Sequence, residues 1–128
     1  MSGPKYVLDT NVVIGFLAGV DWAVHFVKDA AFKDAEMFIS AITRMELLAF
    51  PGIAPDEEIR INQFLSIVTK IDLTPEIEDT AIGIRKASRL KLPDAIVAAA
   101  AICEDAALVS ADTDFERVEK LQWLNPSK

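Results

Sequence analysis

The sequence predicts an α/β protein: a three-layer α/β/α sandwich in which helices cover both faces of a central parallel sheet. Two observations carry this. Short apolar runs alternate along the chain with longer segments of helical periodicity. The short runs are continuously apolar, as strands buried on both faces are.

The first run, Lys5-Tyr6-Val7-Leu8, reads as a buried strand ending at Asp9-Thr10-Asn11. Val12 to Gly19 reads as a helix stopped by Gly19, and Asp21 caps a second helix through about Phe32. Met37 to Ser40 is the next strand, followed by a helix to Phe50 that Pro51-Gly52 stops. Pro55-Asp56-Glu57-Glu58 places proline and acids where a helix N-terminus favours them, so residues 55–66 are expected to be helical. Ile67 to Leu73 is a third strand. Thr74-Pro75-Glu76 opens a helix with an apolar stripe at Ala81, Ile84, Ala87 and Leu90/Leu92. Pro93 is expected to close that helix and to begin another, through Cys103. Ala107 to Ser110 is the fourth strand, Thr113 to about Leu121 a last helix, and Gln122 to Asn125 a short edge strand.

A chain of 128 residues suits one domain over 1–128, and 52% hydrophobic with 26% charged residues is the balance of a globular protein. The positive mean hydropathy of +0.27 raises the question of a membrane. The run Ala95 to Cys103 is bounded by Asp94 and Glu104, far short of the roughly 20 residues that span a bilayer. Tyr6 to Val20 is broken by Asp9 and Asn11 and lacks a basic start and a cleavage site. The expectation is a cytoplasmic protein with no membrane contact. One cysteine, Cys103, excludes an internal disulfide framework and reads as a small buried hydrophobe. His25, the one histidine, lies among Trp22, Val24 and Phe26 and reads as packing or surface, which disfavours Ser-His or Cys-His catalysis.

Chemistry concentrates instead in four separated acids. Asp9 ends the first strand, Glu46 lies in the first turns of the helix after the second, Asp94 opens a helix, and Asp112 follows the fourth strand. In parallel α/β folds, ligands sit outside the carboxyl ends of the strands, so one edge of the fold is expected to gather all four. Each has a plainer reading. Thr43 to Glu46 and Thr113 to Glu116 spell capping boxes, and Asp94 would complement a helix dipole. Asp9 resists such a reading, because a carboxylate ending a central strand is costly to desolvate unless paired, hydrogen-bonded or metal-bound. Gathered acids repel one another, and a hard cation such as Mg2+ or Mn2+ relieves this with oxygen ligands. Such an ion hydrolyses phosphodiesters without a histidine or lysine base.

Tyr6-Val7-Leu8-Asp9-Thr10-Asn11-Val12, Ser40 to Leu47, Leu92 to Ala99 and Leu108 to Phe115 together resemble the PIN-domain family, most of all its VapC-type ribonuclease toxins. The resemblance covers essentially the whole chain, with the motifs in the family's order. It implies a Mg2+- or Mn2+-dependent endoribonuclease on a PIN-like α/β/α sandwich, commonly a homodimer held in check by a cognate antitoxin. Carried over, Asp9, Glu46 and Asp94 match the family's metal-binding acids. Asp112 matches the fourth position, which Asp114 could share, while Thr10, Asn11 and Ser110 match supporting polar positions.

A net charge of −7 opposes a nucleic-acid partner, whose binders usually carry a basic surface. Contact with RNA is therefore expected to be local. Arg85, Lys86, Arg89 and Lys91 stand just before Asp94, and Arg44 just before Glu46. The alternative for the cations is a solvated helix face complementing the dipole. Two other functions stay open: a non-catalytic PIN-like module that binds RNA or protein, and an acidic-pocket phosphoryl-transfer domain. The second lacks the Asp-x-Asp spacing at 9–11 and a lysine closely following the fourth strand.

Overall fold

The structure, a computed structural model, describes residues 3–128. Its centre is a five-stranded parallel sheet of β1 (Lys5–Leu8), β2 (Glu36–Ser40), β3 (Thr69–Ile71), β4 (Ala107–Val109) and β5 (Trp123–Leu124), in the order β3-β2-β1-β4-β5. Six α-helices join and cover it: α1 (Thr10–Leu17), α2 (Asp21–Phe32), α3 (Ala41–Leu48), α4 (Pro55–Leu65), α5 (Pro75–Ser88) and α6 (Leu92–Cys103). A 3-10 helix, Thr113–Arg117, follows β4.

Strand side chains alternate between two cores, which is why the apolar runs are unbroken. Val7 pairs in register with Phe38 and with Leu108, and all three face a core built with Ile77, Ala81 and Ile84 of α5 and the alanine run of α6. Leu8, Ile39 and Val109 face the other core, with Val12 and Val13 of α1, Leu47 of α3, and Ile61 and Phe64 of α4. Small side chains at Ala98 to Ala101 let α6 lie close against the sheet, since all four are buried.

From central β1 the chain builds outward through β2 to β3, then returns to β4 and β5 on the opposite side. The order therefore reverses between β1 and β4, and in open parallel sheets that reversal opens a crevice at the strand C-termini. Asp9 and Ser110 immediately follow those two strands. Among the described residues no single helix is long and apolar enough to cross a membrane.

Several element ends differ from the sequence reading, each for a local reason. Helix α1 starts at Thr10, two residues before the expected Val12, because Asp9 itself is its N-cap and accepts from the Thr10 amide at 2.9 Å. Helix α5 stops at Ser88, with Arg89 left-handed at φ 61°, so Pro93 is not the stop. Pro93 sits instead in the first turn of α6, where its missing N–H leaves no bond unmade. The buried stripe of α5 is Ile77, Ala81 and Ile84, and Leu90 joins the same core from just beyond the helix end, while Ala87 and Leu92 are exposed. Helix α3 ends at Leu48, short of Phe50, and β3 is shorter than expected. The last helix shrinks to one 3-10 segment. Its one buried residue is Phe115, and the chain turns extended at Val118, which is itself buried and ends the segment. Cys103 is half-buried against the Thr80 hydroxyl at 3.6 Å rather than fully enclosed.

Candidate functional site

Asp9 is 7% exposed, and its side-chain hydrogen bonds come from residues that follow β1 and β4. Its Oδ1 accepts from the Thr10 amide, and its Oδ2 accepts from the Ser110 hydroxyl at 2.8 Å and the Asn11 amide at 3.4 Å. Ser110, fully buried, also accepts from Asn11 Nδ2 and from the Asp112 amide, both at 3.1 Å. One donor and two acceptor positions use the hydroxyl completely. Asn11 closes the seam by accepting from the Ala111 amide at 3.1 Å. The loop after β4 is thus tied to the start of α1 through side chains at 9, 11 and 110.

Glu46 stands on the exposed side of α3 and accepts from the Thr10 hydroxyl at 2.5 Å. The capping-box reading of Thr43 to Glu46 is not what forms. Ser40 is the N-cap of α3 and receives the Thr43 amide, leaving Glu46 free to turn toward α1. Likewise Asp112, not Thr113, caps the 3-10 helix, accepting from the Asp114 amide at 2.9 Å. Asp94, half-buried, occupies the first turn of α6.

Burial pushes the Asp9 carboxyl up to about 6 from its ordinary 3.8, and the Asp94 and Glu46 charges add to the rise. The Ser110 hydroxyl and Thr10 amide pull the other way. Asp94 is also raised, by its burial first and then by Asp112 and Glu46, with Lys91 opposing and Asp114 adding a little. Each of these acids therefore feels others of the set, which come from four different segments of chain. Their side chains nonetheless stand apart: among the described residues no three Asp, Glu, His or Cys groups converge closely enough to hold a metal ion as they stand.

The raised Asp9 has a signed consequence for stability. Between pH ~4 and ~6 the folded state holds a proton that the unfolded state releases, so stability falls as pH rises through this window. Above it the loss is on the order of 3 kcal/mol, from a shift of about two units. Urea midpoints measured in chelator from pH 4 to 7 should therefore fall for the wild type relative to Asp9→Asn, which has no such proton. Parallel curves for the two proteins would remove burial of the charge as the cause.

The acids at 112 and 114 separate. Asp114 Oδ1 pairs with Arg117 at 2.9 Å, and Arg117 also donates to the Ser88 carbonyl at 3.4 Å. Arg117 was not singled out from the sequence, although its i,i+3 spacing from Asp114 was visible. Of the proposed basic residues, Lys91 is the N-cap of α6 and the one whose charge acts on Asp94. Arg85 and Lys86 are exposed in the last turn of α5. Arg89 is exposed but lies beyond the helix, so it does not share a helical face with Arg85 as its spacing suggested. Arg44 is exposed on α3, and His25 is exposed on α2. An apolar groove of about 290 Å3, lined by Ile14, Leu17, Leu47, Phe50 and Ile61, opens beside Glu46.

A sequence model of the PIN domain matches residues 6–121. The fold is similar to that of VapBC2 from Rickettsia felis bound to a DNA fragment from their promoter, with a TM-score of 0.84, 23% identity, and 94% of this chain and 98% of that chain covered. It is also similar to a toxin-antitoxin complex from Klebsiella pneumoniae, at a TM-score of 0.81 and 27% identity, covering 94% and 97%. VapBC-1 from nontypeable Haemophilus influenzae gives a TM-score of 0.79 and 24% identity, covering 97% and 99%. No curated protein sequence matches significantly.

Proposed function

This chain belongs to the PIN-domain family, and on that premise we propose that it is a Mg2+- or Mn2+-dependent endoribonuclease, the toxin of a toxin–antitoxin pair. The observation that carries the reading is Asp9: a nearly buried carboxylate, held by three donors at the sheet's reversal point, whose proton affinity is raised partly by Asp94 and Glu46. A group so placed favours a cation over solvent.

The donor set is all carboxylate oxygen, which fits a hard divalent ion better than a soft one. Asp9, Glu46, Asp94 and Asp112 would hold it. Asp112 is the better fourth acid than Asp114, since its charge acts more strongly on Asp94, while the charge of Asp114 is already paired with Arg117. Such an ion, when bound, supplies an activated water and neutralises charge developing on the phosphate. The chain's own part is orientation. Ser110, Asn11 and the Thr10 amide fix Asp9, and the Thr10 hydroxyl fixes Glu46. Lys91 offsets the charge beside Asp94.

The RNA contact falls to the exposed cations around this edge: Arg44, Arg85, Lys86, Arg89 and Lys91. Arg85→Glu combined with Arg89→Glu should weaken RNA binding by on the order of 10-fold or more and lower its salt slope by about 2. Mn2+ affinity should stay as it was. Filter binding across a salt series reads the first effect and Mn2+ titration the second; unchanged RNA affinity would reduce these residues to solvated surface.

A cognate antitoxin belongs to the same proposal, supported by the toxin-antitoxin complexes among the similar structures; self-association as a homodimer and a cytoplasmic location are proposed with it. A second reading, a binding module without catalysis, is favoured by one observation, that the acids do not close on one point. Cleavage with added Mn2+ separates the two: a binding module would retain RNA affinity and leave the RNA intact.

A further inference from the structure

We infer that Thr43 is a positioning residue, the middle of a hydroxyl relay that runs from buried Ser40 through buried Thr43 and half-buried Thr10 to the exposed Glu46 carboxylate. The inference rests on the reading of Glu46 as one of the site's acids. Thr10 Oγ1 lies 2.5 Å from Glu46 Oε1 and 3.3 Å from Thr43 Oγ1. A hydroxyl has one proton, and a 2.5 Å approach to a carboxylate is the short, charge-assisted kind. Thr10 therefore donates to Glu46, which leaves Thr43 to donate to Thr10.

The rest of the relay follows by counting donors. Ser40 Oγ lies 3.4 Å from Thr43 Oγ1 and already accepts from the Thr43 amide at 3.1 Å, so its own proton turns toward Thr43. All three hydroxyl protons then point along the chain of oxygens toward Glu46, an arrangement in which each bond polarises the next. Ser40 and Thr43 are 1% and 0% exposed, so neither has water as an alternative partner. Helix capping accounts for Ser40. It does not account for the Thr43 hydroxyl, because valine would fill the same space beside the core with no partner to find. What the hydroxyl adds is a link from α3 across to α1, one turn before Glu46 on the same helix.

The test compares Thr43→Val with Thr43→Ser. Thr43→Val should weaken Mn2+ binding roughly 10-fold, the scale of lost partners behind a ligand, and Thr43→Ser should restore most of it. Thr43→Ala, which adds no bulk, carries the same expectation as Thr43→Val should that variant fold poorly. A second readout needs no metal and no activity: denaturation midpoints in chelator for Thr43→Val, Glu46→Ala and the double variant. The relay predicts that the two single shifts fail to add. Additive shifts overturn it, as does a Thr43→Ser variant as weak for Mn2+ as Thr43→Val. If the wild type binds no Mn2+, the metal reading fails while the chelator cycle still decides the relay.

Discussion

Asp9→Asn is expected to lower Mn2+-dependent RNA cleavage by on the order of 1000-fold while making the metal-free protein more stable at neutral pH. The two effects have one origin. Asp9 is nearly buried, and its ionised form is opposed by that burial and by Asp94 and Glu46. An amide in its place keeps a hydrogen-bonding side chain at the β1–β4 junction and removes the charge, so the folded state gains. The same substitution removes a carboxylate from the proposed cation site, and the charge stabilisation such an ion provides is worth several kcal/mol. At 1.36 kcal/mol per factor of ten, three decades of rate follow. Cleavage kinetics and urea denaturation in chelator, run on one preparation, check both halves. A variant that loses activity and stability together would mean that Asp9 serves the fold alone.

Phe115→Ala is expected to destabilise the protein by about 3–5 kcal/mol, the usual result of emptying a buried aromatic position. Phe115 is 1% exposed and is the one buried residue of the 3-10 helix that Asp112 caps. It pins that segment to the core shared by α5 and α6. For a chain of this size the thermal midpoint should fall by about 10–20 °C. Cleavage should also fall at temperatures where the variant is still folded, because Asp112 and Asp114 lose their anchor. A midpoint within a few degrees of wild type would show that the segment is held by other contacts, such as Arg117 with Asp114 and the Ser88 carbonyl.

The layers and the parallel sheet were legible in the sequence because burial on both faces leaves strands with unbroken apolar runs, as in Tyr6 to Leu8 and Ala107 to Val109. Strand order was not. Nothing in a local pattern states that β1 is central or that the reversal falls between β1 and β4. Element ends were misread where one residue had two plausible local roles. Pro93 fits a helix stop as well as a first turn, and the left-handed Arg89 that ends α5 leaves no sequence mark, since it is not glycine.

The candidate site was legible in the sequence as residue types and an expected edge. Asp9 and Asp112 follow or nearly follow strands and Asp94 opens a helix, and position alone was enough to suggest one edge; Glu46, expected in the first turns of its helix, lies in the last turn of the short α3. The partners of those acids were less accessible. Glu46 looked like half of a capping box because Thr43 stands three residues before it, yet Ser40 takes the capping role and the Thr43 hydroxyl faces Thr10. The pairing of Asp114 with Arg117, which separates the two acids after β4, depends on a 3-10 turn that the sequence had suggested as a longer helix.

The most direct test of the central claim is cleavage of end-labelled single-stranded RNA by the purified chain, first in chelator and then with excess Mn2+, with Asp94→Asn prepared in parallel. The proposed function predicts internal cuts by the wild type only when Mn2+ is present, and none by Asp94→Asn at the same protein concentration. Intact RNA with the wild type in Mn2+, or equal cutting by Asp94→Asn, would contradict it.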